Sequence, residues 1–189
     1  IPEGRRSLVD AHGIDWDHAG NSPTRTFSYP THTILPEARE PWPEEIIGSL
    51  LPRHYQIIQE IDRRFLIQVA YRFPEESKKT DSMAIVTRQP QGTIHMARLA
   101  IVGSRKVNGV SALHSDILKK TVFHDFSEMW PDKFTNVTNG VTPRRWILEA
   151  NPSLSRLLRD RLGDSWVDHA EKLRDLEPLA DDPDFRNRF

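Results

Sequence analysis

Between residues 44 and 72 the apolar side chains fall on one stripe. Ile47, Leu50, Leu51, Tyr55, Ile58, Ile61, Phe65 and Val69 recur at steps near three and four, the spacing of an amphipathic α-helix. Glu and Arg fill the opposite side, so the stripe reads as a core face backed by a solvated one. Pro52 lies inside it and either starts a helix or kinks one.

The rest of the chain is punctuated. Leu8, Val9 and His12, with Gly13 as a stop, suggest a short helix over 5–12, and a weaker pattern suggests another over 15–27, interrupted by Gly20, Ser22 and Pro23. Residues 28–43 hold Pro30, Pro36, Pro41 and Pro43 and read as an irregular, rigid segment. Residues 74–92 are polar and turn-rich around Met83-Ala84-Ile85-Val86, a short strand or buried run. Residues 93–103 are apolar and fit helix or strand; 111–121 look helical. Three successive helices follow over 143–150, 152–162 and 164–176, with Asn151-Pro152 and Asp164 as starts and Gly163 as a stop. Asp182-Pro183-Asp184-Phe185 opens another helix. The expected fold class is mostly α with a few short strands.

At 189 residues the chain can form one domain or two small ones with a core. A net charge of −1 gives no electrostatic footprint for nucleic acid or an anionic membrane. No apolar run is long enough to cross a bilayer and no secretory signal opens the chain. Cysteine is absent, which excludes disulfides and thiolate metal sites, and the eight histidines lack ligand spacing, so no metal is expected. These features fit a cytoplasmic protein, in which Asn136-Val137-Thr138 is a chance glycosylation match. No Gly-x-Gly-x-x-Gly, P-loop or His-Glu-x-x-His occurs.

The stretch Thr138-Asn139-Gly140-Val141-Thr142-Pro143-Arg144-Arg145-Trp146 carries the most chemistry. Asn139-Gly140 reads as a turn, Thr142 as a helix cap and Pro143 as the first helical residue. A helix N-terminus beside two arginines suits an anion or a phosphorylated cofactor. The same residues also make an ordinary loop-to-helix junction.

Other motifs stand upstream: His32-Thr33-Ile34-Leu35-Pro36-Glu37, Leu51-Pro52-Arg53-His54, Met96-Ala97-Arg98-Leu99-Ala100-Ile101-Val102-Gly103-Ser104, Val107-Asn108-Gly109-Val110 and Leu113-His114-Ser115-Asp116. In this order and spacing the sequence resembles the α-glucan phosphorylases, the glycogen, starch and maltodextrin phosphorylase family, from about Ile1 to Phe189. The resemblance implies a piece of a two-lobed, Rossmann-like α/β (GT-B type) glycosyltransferase: an internal fragment or a truncated relative. Residues 1–138 would end the N-terminal lobe, with 28–43 as an active-site loop. Residues 139–189 would form the crossover and the start of the C-terminal lobe. Family members are homodimers.

The activity so implied is retaining phosphorolysis, in which inorganic phosphate releases glucose 1-phosphate from the end of an α-1,4-glucan. Pyridoxal phosphate assists through its phosphate. By the same resemblance His32, Val110 and Asn139 bind the transferred glucosyl unit, Val110 through its backbone. Arg145 and Trp146 lie beside the cofactor, and His114 and Ser115 serve packing and hydrogen bonding. The helical region 44–72 is a glucan-binding surface in some members, although Gln56 and Gln59 stand where a stacking aromatic would favour that use. No catalytic residue is expected within the chain, because the cofactor lysine lies downstream in the family and Lys119, Lys120 and Lys172 are not in its motif. The chain alone is therefore expected to be inactive and not to bind the cofactor. Thr31 stands where members usually have asparagine, and Pro30, Arg39 and Pro41 also depart from the pattern. The alternatives are a non-catalytic helical glucan-binding or interaction module derived from a phosphorylase, and a helical scaffold with decayed sites.

Overall fold

The apolar stripe of residues 44–72 forms two helices, broken at Leu51. There the backbone turns to φ −133° and ψ 59°, because a residue before proline is disfavoured in the α region. Pro52 then opens the second helix, where no backbone N–H is needed. The structure, a computed structural model, describes residues 1–88 and 91–189; the turn-rich stretch 74–92 thus includes two residues outside the described ones.

The chain divides into two compact units, Ile1–Asn139 and Gly140–Phe189. The first carries helices α1 (Pro2–Arg6), α2 (Trp16–Thr26), α3 (Glu44–Leu50), α4 (Pro52–Arg72), α5 (Ser77–Met83), α6 (Met96–Val102), α7 (Ala112–Ile117) and α8 (His124–Met129). Strands β1 (Ser28–Pro30), β5 (Lys106–Gly109) and β6 (Phe134–Asn136) form a parallel sheet in the order β1-β5-β6. Strands β2 (Pro41–Pro43), β3 (Val86–Thr87) and β4 (Thr93–His95) form an antiparallel sheet in the order β2-β4-β3.

The core lies along α4. Ile57, Ile58, Ile61, Phe65 and Val69 are buried against Met83, Ile85, Ile94, Leu99, Ile101, Val107, Phe123, Phe126 and Phe134. Phe65 stacks on Phe126 with ring centroids 5.8 Å apart. Of the predicted stripe, Ile58, Ile61, Phe65 and Val69 are buried, Ile47 and Tyr55 pack on the edge of the cluster, and Leu50 and Leu51 are exposed at the helix break. Asp62, on the buried side of α4, accepts the Ile85 N–H at 2.6 Å.

Several local expectations are corrected. Residues 28–43 are not wholly irregular: β1 and β2 lie in them, and prolines fit because Pro30 ends β1 while Pro41 and Pro43 lie on the edge strand β2. Residues 93–103 begin as β4 and become helix at Met96. The helices expected over 5–12 and 111–121 each finish as a π-helical turn, Ser7–Ala11 and Leu118–Val122.

The second unit contains α9 (Pro143–Leu148), α10 (Pro152–Leu162) and α11 (Pro183–Arg188), with Leu157, Leu158, Trp166 and Phe185 buried. Gly163 ends α10 at φ +70°, a conformation that favours glycine. The α-helix expected over 164–176 is instead two 3-10 segments, Asp164–Val167 and Ala170–Leu179, separated where His169 leaves the helical region at φ −125° and ψ 77°. Burial of Trp166 and the backbone break override local helix propensity there. No helix among the described residues is long and apolar enough to cross a membrane.

Candidate functional site

In a parallel sheet every strand ends on the same edge, and ligands of open α/β sheets bind beyond the carboxyl ends of the strands. Here Thr31 and His32 follow β1, Val110 follows β5, and residues 137–139 follow β6. The three predicted sugar contacts, His32, Val110 and Asn139, therefore leave the same edge of one sheet. The outer strands β1 and β6 flank β5, which at ordinary strand spacing puts them roughly 10 Å apart.

Hydrogen bonds continue the ladder past the strands. The Thr31 N–H donates to the Asn108 carbonyl at 3.0 Å, the Val137 N–H to Gly109 at 3.1 Å and the Asn139 N–H to Val110 at 3.0 Å. Thr31 is buried, and its hydroxyl donates to the Thr33 carbonyl at 3.3 Å. His32 and Asn139 are exposed and Val110 is half-buried. The side chains of His32 and Asn139 make no hydrogen bond among the described residues, so an imidazole and a carboxamide stand free for hydroxyl groups. Within β1, burial pushes the Tyr29 phenol upward.

The loop after β5 is held from below by α7. Ser111 caps that helix by accepting the His114 N–H at 3.1 Å, and the Val110 N–H donates to His114 Nδ1 at 3.2 Å. That bond fixes the proton of a neutral ring on Nε2, which is buried without a partner among the described residues. Gly109 permits the close approach: a Cβ there would lie 2.9 Å from the Ser115 backbone. Asn136 ties β6 to the same place, donating from Nδ2 to the Gly109 carbonyl at 3.3 Å and to Ser115 Oγ at 3.2 Å. This role of Asn136 has no local signal in the sequence, because its partners come from a distant strand and helix.

Two details of the 138–146 stretch differ from expectation. Neither Asn139 nor Gly140 takes a positive φ, and no turn forms, because the Asn139 N–H is already used to extend the β5–β6 pairing. Thr142 does not cap α9: its backbone (φ −108°, ψ 76°) lies outside the usual extended cap geometry and its side chain makes no cap bond. Pro143 does occupy the first helical turn. In the second unit Arg144 donates to the Val167 carbonyl at 3.2 Å. The Arg145 side chain makes no hydrogen bond among the described residues, and Trp146 is 65% exposed.

A candidate metal cluster elsewhere, His124, Asp125 and Glu128, has its carboxylates engaged: Glu128 pairs with Lys79 at 2.5 Å and Asp125 accepts from Ser82 at 2.6 Å.

The family model described as carbohydrate phosphorylase matches residues 1–189. The chain belongs to the carbohydrate phosphorylase family. Its phosphorylase relatives include glycogen phosphorylase of Synechocystis, 45% identical over 186 residues, 98% of this chain and 22% of the relative. The human muscle form of glycogen phosphorylase is 47% identical over 185 residues, with 98% and 22% covered. The glycogen phosphorylase of Chlamydia pneumoniae is 47% identical over 189 residues, 100% and 23% covered. The chain thus spans about a fifth of the length of the curated relatives it matches.

Proposed function

We propose that this chain supplies sugar-gripping and cofactor-facing groups to an α-1,4-glucan phosphorylase, a two-lobed GT-B-type enzyme that uses inorganic phosphate to release glucose 1-phosphate with retention. In this reading residues 1–138 close the N-terminal lobe and 139–189 open the C-terminal one, in a homodimeric cytoplasmic enzyme. The observation that carries it is the common edge of the β1-β5-β6 sheet, from which His32, Val110 and Asn139 all emerge.

Each group has a task set by its chemistry. The Asn139 amide offers donors and an acceptor to sugar hydroxyls, and the His32 imidazole donates or accepts beside it. The Val110 backbone is locked between His114 and the Asn139 N–H, so the sugar meets a wall that need not reorganise as charge develops. Thr31, buried and bonded to Asn108, holds the backbone that presents His32.

The free guanidinium of Arg145 and the exposed indole of Trp146 fit a ring that bears a phosphate. They would hold pyridoxal phosphate, which supplies acid/base or electrostatic assistance through its phosphate when bound. Its lysine is not among the motifs of this chain, so residues 1–189 alone are expected to release no glucose 1-phosphate.

A graft tests the reading. Residues 1–189 replacing the matching segment of Synechocystis glycogen phosphorylase should form glucose 1-phosphate from maltoheptaose and phosphate. Within that graft, His32→Ala and Asn139→Ala should each lower kcat/KM by about 10- to 100-fold, the loss of a hydrogen bond or two to the sugar. A folded, cofactor-loaded graft without activity would overturn the proposal, as would either variant leaving kcat/KM unchanged.

A further inference from the structure

A concave site elsewhere shares no residue with the strand ends that carry His32, Val110 and Asn139. It is a cavity of about 480 Å³ whose wall includes Arg39, His95, Arg98, Ser82, His124 and Asp125. The fold brings its cations together from separate elements. Arg39 ends the 3-10 turn Pro36–Arg39, His95 ends β4, and Arg98 lies in the first turn of α6.

The β2–β4 pairing fixes this meeting. Pro41 is opposite His95 in the ladder, and the Met96 N–H reaches the Glu40 carbonyl at 3.4 Å. Glu40, between Arg39 and β2, is held at φ +51°, a left-handed conformation that costs a non-glycine residue free energy. The sheet therefore holds two guanidinium groups near one another at some expense. Arg98 spends one edge of its fork on the Ala84 carbonyl, at 2.6 Å from Nη1. The Arg39 side chain makes no hydrogen bond or ion pair among the described residues. Among the described residues Asp125 is the one carboxylate in the wall, and the Ser82 hydroxyl already donates to it at 2.6 Å.

Like charges so placed repel. Burial first, and then Arg98 and Arg39, push the His95 imidazole down to about 4. Burial and then Arg39 act in the same direction on Arg98, against the smaller pull of Asp62. An anion in the cavity relieves all three. A phosphate suits the arrangement better than a carboxylate, since its tetrahedral oxygens diverge and can meet two guanidinium forks at once. The space exceeds that of an inorganic ion, and Pro36, Pro41 and Phe123 add apolar wall.

We propose that this cavity binds the phosphate group of a small phosphate monoester, gripped by Arg39 and Arg98 with His95 as a third contact. The proposal does not rest on the phosphorolysis reading, which assigns no role to these three residues. The test titrates the 189-residue chain, in low-salt buffer, with glycerol 3-phosphate, inorganic phosphate and malonate, followed by calorimetry and by histidine NMR. Glycerol 3-phosphate should bind saturably and raise the His95 titration midpoint, while Arg39→Gln should weaken binding at least about tenfold, the loss of a charge-assisted contact. Arg39→Lys, which keeps the charge and loses the fork, should fall between the two. Thermal melts check that each variant remains folded. No saturation by roughly 10 mM, or unchanged affinity in folded Arg39→Gln, would overturn the site. Malonate binding as tightly would overturn its phosphate selectivity, and inorganic phosphate binding as tightly would overturn the assignment to an ester.

Discussion

At the scale of single residues, Asp62 illustrates how one buried carboxyl organises this fold. It sits on the core side of α4 and takes the Ile85 N–H at 2.6 Å, fastening the run that leads into β3. Burial raises its pKa, against the pull of the Ile85 and Val86 N–H groups and of Arg98 and Arg88. Removing the acceptor with Asp62→Ala leaves a buried N–H unpaired and should cost about 2 kcal/mol in urea denaturation at pH 7. Asp62→Asn keeps an acceptor oxygen and should cost less. The pH dependence has a definite sign. A carboxyl with a raised folded pKa takes up its proton in the native state first, so its contribution grows as pH falls and is lost as pH rises through the folded value. The stability of the parent relative to Asp62→Asn should therefore increase between pH 7 and pH 4; a gap that stays constant or narrows would contradict the burial argument.

At the scale of elements, the helix ends offer a controlled comparison. Asn151 caps α10 by accepting the Leu154 N–H at 3.1 Å, whereas Thr142 stands in the same place before α9 and makes no cap bond. Asn151→Ala should lower stability by about 1 kcal/mol and Thr142→Ala by much less, read from urea midpoints. Equal effects would show that the Thr142 side chain caps in solution. Local sequence speaks clearly for such elements. The α4 stripe, the Pro52 start, the Asn151 cap, the Gly163 stop and the Asp182 cap of α11 are all statements about residues within four positions of one another. The strands are different. β1 and β2 have three residues each and too little length for a period of two to register, and their partners, from Ser28 with Lys106 to Pro41 with His95, lie far along the chain. Proline-rich composition then reads as loop, and only the remote partner makes it strand. The 164–176 segment fails for a related reason, since burial of Trp166 and the break at His169 are tertiary facts.

At the scale of the whole molecule, the candidate site depends on the least local feature of all. His32, Val110 and Asn139 are named by resemblance, and nothing within a few residues of any of them announces the others. Parallel pairing of β1, β5 and β6 puts all three beyond the same edge of one sheet. The same separation of scales predicts how the chain divides. Every member of the main hydrophobic cluster, from Ile57 to Phe134, lies within Ile1–Asn139, and so do both sheets. Residues 1–139 expressed alone should keep that core and unfold cooperatively in urea, with a slope near the roughly 1–3 kcal/mol/M of small domains. Residues 140–189 retain Leu157, Leu158, Trp166 and Phe185 as their buried apolar residues, too few to offset the chain entropy of a piece this short. Near-ultraviolet circular dichroism should accordingly give a sigmoidal transition for 1–139 and a shallow, sloping one for 140–189. A featureless 1–139 spectrum would mean that the cluster along α4 cannot hold its sheets without the residues that follow. The edge presenting His32, Val110 and Asn139 would then be a property of a larger assembly of chain, not of the unit that contains them.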